Sequence, residues 1–150
     1  MFDRRGFMLL AAVAVCAPAF AVQTVSTDEQ EIRYERFGPE EGHAIILLAA
    51  DTQVFAAVTG PLAAQGFRVI VPYLRDSDDG TLGQDVLELM NALHIPEAVL
   101  AGVEQGARVA AKAATLKPTR CVGLVTLNTP PQPGFAEAVA LMAKTGHWRT

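Results

Sequence analysis

Along this chain, short apolar runs of strand length alternate with longer stretches in which apolar residues return every three or four positions. That rhythm predicts an α/β domain. Residues 32–37 alternate apolar and polar side chains, as an edge strand does, and Gly38-Pro39-Glu40-Glu41-Gly42 turns the chain. Residues 44–50 are apolar throughout, the pattern of a strand covered on both faces. Residues 54–65 fit a helix that Gly60-Pro61 must kink or delay. A strand rich in β-branched residues follows at 67–73.

Thr81-Leu82-Gly83-Gln84 spells a capping box with Thr81 as N-cap, and Leu82, Val86, Leu89, Met90 and Leu93 form the apolar stripe of the helix behind it. Residues 98–103 predict a strand, 105–116 a helix that stops before Pro118, and 121–128 another strand. A rigid link through Pro130, Pro131 and Pro133 leads to a last helix over 135–145, closed by Gly146 as C-cap. The sum is a three-layer sandwich on a mostly parallel sheet of about five strands, in one domain over 22–150.

Residues 1–21 read differently. Arg4-Arg5 supply a positive start, residues 7–17 are apolar, and Ala19-Phe20-Ala21 fits a small-x-small cleavage site. Asp3-Arg4-Arg5-Gly6-Phe7-Met8 resembles the twin-arginine signal of bacterial proteins exported folded. The expectation is a periplasmic or secreted protein; the alternative is an uncleaved N-terminal anchor. No apolar run reaches the ~18–20 residues of a membrane span, so none is expected in the mature chain. Cleavage leaves Cys121 as the one thiol, which excludes an internal disulfide and predicts a small buried hydrophobe.

Composition narrows the function classes. At 51% hydrophobic, the 150 residues are far from disorder, and a formal charge of −4 argues against nucleic acid. Gly102 to Gly106 is no dinucleotide fingerprint and no Lys-Ser/Thr pair completes a phosphate loop, so no cofactor is expected.

From 32 to 130 the sequence resembles the N-terminal half of the α/β-hydrolase superfamily. Tyr34-Glu35-Arg36-Phe37-Gly38-Pro39 is similar to the family's opening strand and turn, and Ile45-Ile46-Leu47-Leu48 to the strand before its His-Gly. Gly66 to Pro72 with Leu74-Arg75 resembles the next strand and loop. Asp85, Leu89, Leu93 and Ile95 match the following helix, and Val122 to Asn128 the strand after the nucleophile helix. The resemblance implies the fold, not the chemistry.

The family's nucleophile sits in G-x-S-x-G on a tight strand-to-helix turn. Here the same frame is Gly102-Val103-Glu104-Gln105-Gly106, with Glu104 at the nucleophile position. A carboxylate can attack an alkyl carbon, and relatives that open epoxides or cleave carbon–halogen bonds use Asp there. Glutamate is one methylene longer, which displaces its oxygen on a turn with little slack. Where the family has His-Gly, this chain has Ala49-Ala50 and then Asp51. The amides of Thr52 and Gln105 are the candidate oxyanion donors, although a carboxylate at Asp51 opposes the charge they would stabilise. The family's acid and histidine lie beyond the matched portion, and His43, His94 and His147 are poorly placed to replace them.

Asp51 and Glu104 are expected on adjacent strands, with Asp76, Asp78 and Asp79 leaving the same edge. Such an acidic rim would favour a metal ion or a cationic small molecule; the bland alternative is a solvated loop. Trp148 reads as an anchor for the chain end or a ligand platform. The last helix is apolar around most of its circumference, so it either folds across a sheet face that would otherwise be bare or meets a partner there. The leading expectation is an exported, catalytically degenerate hydrolase relative that keeps a pocket edge for a small-molecule ligand or for association. One alternative is a hydrolase using Glu104 as nucleophile or base with Asp51. Another is a scaffold half needing a homodimer or a C-terminal partner.

Overall fold

The computed structural model describes residues 22–26, 31–146 and 148. The leader at 1–21, with Cys16, and His147 lie outside the described residues. The strands are β1 (Val22–Ser26), β2 (Glu31–Phe37), β3 (Ala44–Leu48), β4 (Arg68–Pro72), β5 (Ala98–Val103) and β6 (Cys121–Leu127). The helices are α1 (Thr59–Ala64), α2 (Asp79–Ala92), α3 (Gln105–Leu116) and α4 (Phe135–Thr145). The sheet runs β1-β2-β4-β3-β5-β6. β1 and β2 are antiparallel, and β3 to β6 are parallel to one another.

β3 and β5 are central, and every residue of both is buried, as their unbroken apolar sequences require. Alternate residues feed two cores. On one face Ile46, Leu48, Ile70 and Leu100 meet Leu82, Val86, Leu89 and Met90 of α2 and Val109 of α3. On the other, Ile45, Leu47, Val69 and Val99 meet Leu62 of α1 and Phe135, Val139 and Ala143 of α4. Phe55 stacks on Phe135 with ring centroids 6.2 Å apart, joining the two helical regions of that face. The face expected to be bare is therefore covered by α4 itself.

Three details differ from the sequence expectation, and one, the delayed first helix, follows one of its two alternatives. A sixth strand, β1, adds to the five expected; its Val-Gln-Thr-Val-Ser sequence carries little apolar signal and adjoins the leader. Gly60-Pro61 delays the first helix: a 3-10 turn over Thr52–Phe55 comes first, and α1 begins at Thr59. The N-cap of α2 is Asp78, three residues before Thr81, because the Asp78 carboxylate accepts from the Thr81 amide at 3.1 Å and from its hydroxyl at 2.6 Å. Aspartate outranks threonine as an N-cap. Gly146 caps α4 at φ −67 and ψ 156, extended rather than left-handed, where a side chain would run into Val122.

Candidate functional site

The C-terminal ends of the parallel strands, where open α/β sheets place ligands, carry the expected residues. Glu104 follows β5 at φ 54 and ψ −120. Those angles are the first central position of a type II′ turn, which glycine normally holds. Non-glycine residues in such regions cost about 1–3 kcal/mol and persist where the surroundings over-determine them.

Here the surroundings do. The Glu104 amide donates to the Leu127 carbonyl at 2.8 Å, and the Ala107 amide donates to the Glu104 carbonyl at 3.0 Å. A Cβ on Gly102 would run into the Gly106 carbonyl and lie 2.7 Å from the Ala107 nitrogen. A Cβ on Gly106 would run into the Leu48 carbonyl and lie 2.7 Å from the Ala49 nitrogen. The two glycines thus let β5, the start of α3 and the end of β3 close on one another, and Glu104 is held out at the tip, exposed to solvent. Gln105 is the first residue of α3, so its amide is among the donors a helix start leaves without an intrahelical acceptor.

Asp51 lies at the end of the neighbouring strand as expected, since Leu48 of β3 pairs with Gly102 of β5. Its carboxylate caps the 3-10 turn, accepting from the Gln53 amide at 3.0 Å. Thr52 begins that turn and is half-buried.

The acidic rim does not converge. Asp78 caps α2, and its two hydrogen bonds from Thr81 hold the carboxyl below the usual carboxylate range. Asp79 pairs with Arg108 of α3 at 3.0 Å, and Asp76 stays on the exposed loop. Among the described residues no cluster of three or more His, Cys, Asp or Glu could hold a metal ion. The metal form of the rim expectation is corrected on that ground: each carboxylate with an assigned contact is spent on a local cap or an ion pair.

His43 and His94 lie at the opposite end of the sheet from Glu104, before β3 and after α2. Trp148 stacks on His43 at 4.1 Å and donates its indole N–H to the Ala143 carbonyl at 2.8 Å, so it anchors the chain end. Cys121 is half-buried against the α2–α3 core, and burial pushes its thiol pKa up.

The sequence did not single out Tyr73. It follows β4 at the site's end of the sheet, and its hydroxyl donates to the Glu35 carboxylate of β2. That bond, with burial, raises the phenol pKa; the Thr52 side chain and Arg33 pull the other way. Arg33 lies over the Tyr73 ring at 5.0 Å. Two cavities lie nearby. One of about 190 Å³ is lined by Glu35, Thr52, Gln53 and Phe55; another of about 290 Å³ by Arg33, Tyr73, Arg75 and Leu89. Arg75 grips Asp85 of α2 with bonds of 2.8 and 3.1 Å, tying the loop after β4 to the helix. Glu104 lines neither cavity. Glu35 lies on β2, which the sequence reads as an edge strand but which β1 and β4 flank, and Tyr73 lies at a strand end, so only the cross-strand register could have joined them.

Neither protein-family models nor curated proteins give a match to this sequence. Solved structures do. A candidate epoxide hydrolase from Klebsiella pneumoniae subsp. pneumoniae is 36% identical over 73% of this chain, with a TM-score of 0.66. Epoxide hydrolase A from Mycobacterium thermoresistibile is 22% identical over 75% of the chain (TM-score 0.66). The enol-lactonase from Burkholderia xenovorans is 22% identical over 68% (TM-score 0.62). The matched region spans 42%, 40% and 45% of those three proteins, less than half of each. With the strand order, the elbow geometry and these likenesses together, the chain has the α/β-hydrolase fold over part of that family's length.

Proposed function

We propose that this chain is an exported α/β-hydrolase relative that binds a small cationic or hydrogen-bond-donating molecule at its elbow without turning it over. The observation that carries the reading is Glu104: an exposed carboxylate held at φ 54 where the family presents a serine hydroxyl. A carboxylate there opposes the acyl transfer that a serine runs, because its negative charge disfavours the tetrahedral oxyanion that would form beside it. Against a cation or an N–H donor the same charge is favourable, and Asp51 at the end of the neighbouring strand adds to it. Export rests on the leader sequence, Arg4-Arg5 with the apolar run and the Ala-x-Ala site.

A second reading has one specific support. The backbone strain at Glu104 is of the kind kept at reactive positions. In that reading Glu104 attacks an alkyl carbon or acts as base, assisted by Asp51.

One experiment separates them. Purified protein is offered p-nitrophenyl esters, epoxides and haloalkanes, and separately alkylammonium ions in a thermal-shift series. The binding reading expects background turnover and a melting temperature that rises with alkylammonium concentration in the wild type but not in Glu104→Gln. Turnover that Glu104→Gln abolishes would establish the hydrolase instead.

A further inference from the structure

Among the described residues two buried ones carry polar side chains, Thr59 and Glu97. Glu97 is partnered. Thr59 is 8% exposed, and its hydroxyl has no hydrogen-bond partner among the described residues. Buried polar groups are normally hydrogen-bonded, and an exception marks a place where a water or a ligand completes the set. The one fully enclosed side-chain oxygen or nitrogen without a partner among the described residues is Glu88 Oε1. The Thr59 hydroxyl is therefore not sealed off, and it opens to the cavity of about 190 Å³ that Thr59 lines.

The local sequence accounts for both walls. Phe55 and Val58 are buried in the core on the α1 face, so Thr59, the next residue and the first of α1, is drawn in with them. Across from it β2 alternates: Ile32 and Tyr34 join the α2–α3 core, which turns Glu35 and Phe37 to the α1 face, where Phe37 joins the same core as Val71. The cavity thus has an apolar wall of Phe37, Phe55 and Val71, with the Thr59 hydroxyl and the Glu35 carboxylate as polar groups. Apolar walls with a few placed polar groups are the make-up of a small-molecule site.

Charge selects the head group. Glu35 Oε2 accepts from the Tyr73 hydroxyl, and Oε1 has no partner among the described residues. The Tyr73 ring carries the Arg33 guanidinium at 5.0 Å. Arg33 precedes Glu35 by two residues on the same side of β2, about 7 Å along the strand. An ammonium drawn to Glu35 is repelled by Arg33, and a carboxylate drawn to Arg33 is repelled by Glu35. A neutral head that both donates and accepts meets neither penalty.

We propose that this cavity binds a short-chain primary carboxamide. The ligand's N–H donates to Glu35 Oε1, its carbonyl accepts from the Thr59 hydroxyl, and its alkyl chain lies against Phe37, Phe55 and Val71. At the ~30 Å³ that liquid water gives each molecule, the cavity has room for roughly six non-hydrogen atoms. Butyramide is of that size. Glu104 does not line the cavity, so the site is separate from the elbow and does not rest on the reading given to it.

The test is a titration of the full chain with butyramide, followed by NMR shifts of the assigned backbone amides. Saturable shifts at millimolar butyramide are expected, centred on Glu35, Phe55 and Thr59. Thr59→Val should weaken binding about fivefold, the worth of one neutral hydrogen bond, with a melting temperature no lower than the wild type, since the hydroxyl it removes has no partner. Glu35→Gln should weaken binding about tenfold or more, as loss of a charged acceptor does. In the Glu104→Gln background, where the elbow carboxylate is gone, butylammonium and butyrate should fail to displace butyramide. Absence of saturable shifts overturns the proposal, since water or the chain itself then fills the cavity. So does affinity unchanged in both variants, or a Thr59→Val protein that melts lower, because the hydroxyl is then a structural group. Displacement by butylammonium in the Glu104→Gln background overturns it as well, because the cavity is then a cation site.

Discussion

Glu104 and Asp51 leave neighbouring strands at the same end of the sheet, yet opposite parts of the two residues are fixed. At Glu104 the backbone is pinned, by the Leu127 carbonyl on one side and the close approach of Gly102 and Gly106 on the other, while the side chain is exposed. At Asp51 the backbone is ordinary, at φ −112 and ψ 108, and the side chain is held by its bond from Gln53. The elbow is therefore a backbone device that accepts whatever side chain stands on it. The loop after β3 is shaped by its side chain. This is how a hydrolase frame can persist around a residue that is not the family's nucleophile.

The largest effect should come from the backbone device. Gly106→Ala forces a methyl group into the Leu48 carbonyl, and backbone cannot step aside as a side-chain tip can. Overpacking of this kind costs about 3 kcal/mol or more, read as a lower urea midpoint. A cost below about 1 kcal/mol, within the range of ordinary surface changes, would mean that β3 does not pin the elbow, and the contrast with Asp51 would collapse.

Glu104→Gly should act in the opposite direction. Relief of the positive φ returns about 1–3 kcal/mol, and glycine's extra unfolded-state entropy takes back roughly 0.5–1 kcal/mol. The net expectation is a stabilisation of about 1 kcal/mol. Glu104→Ala should show none of it, because alanine still has a Cβ at that φ. A stabilised Glu104→Gly protein that has also lost alkylammonium binding would show strain retained for a function of the side chain.

How much of this was legible in the sequence follows from what each element depends on. β3, β5, α3 and α4 were readable because burial alone sets them: unbroken apolar runs for the strands, 3.6-residue periodicity for the helices. The elbow was readable because its frame needs two glycines at a fixed spacing. β1 was not, because a polar edge strand has little core to face. The start of α2 was misplaced because Asp78 and Thr81 both suit an N-cap, and Thr81 ends up as the donor to Asp78. The Glu35–Tyr73 pair depends on the antiparallel register of β2 with β4, in which Tyr34 faces Pro72, and no local pattern encodes that. The cap that Asp51 makes was not legible for a similar reason. Its distance from Glu104 is a matter of topology, but its partner is two residues away along its own loop.

The smallest expected effect tests that last point. If Asp51 matters through its side-chain bond to the Gln53 amide, Asp51→Ala should cost about 0.5–1 kcal/mol, the low end for loss of an exposed cap. Asp51→Asn should cost almost nothing, because asparagine caps as well as aspartate does. The pair of variants separates geometry from charge: Asn keeps the acceptor oxygen and removes the negative charge beside Glu104. Under the binding reading, Asp51→Asn keeps wild-type stability but loses part of its affinity for alkylammonium ions. Were Asn as destabilising as Ala, the charge of Asp51 rather than its acceptor geometry would be holding the loop. The contrast drawn between a backbone-fixed elbow and a side-chain-fixed loop would then have to be redrawn around electrostatics.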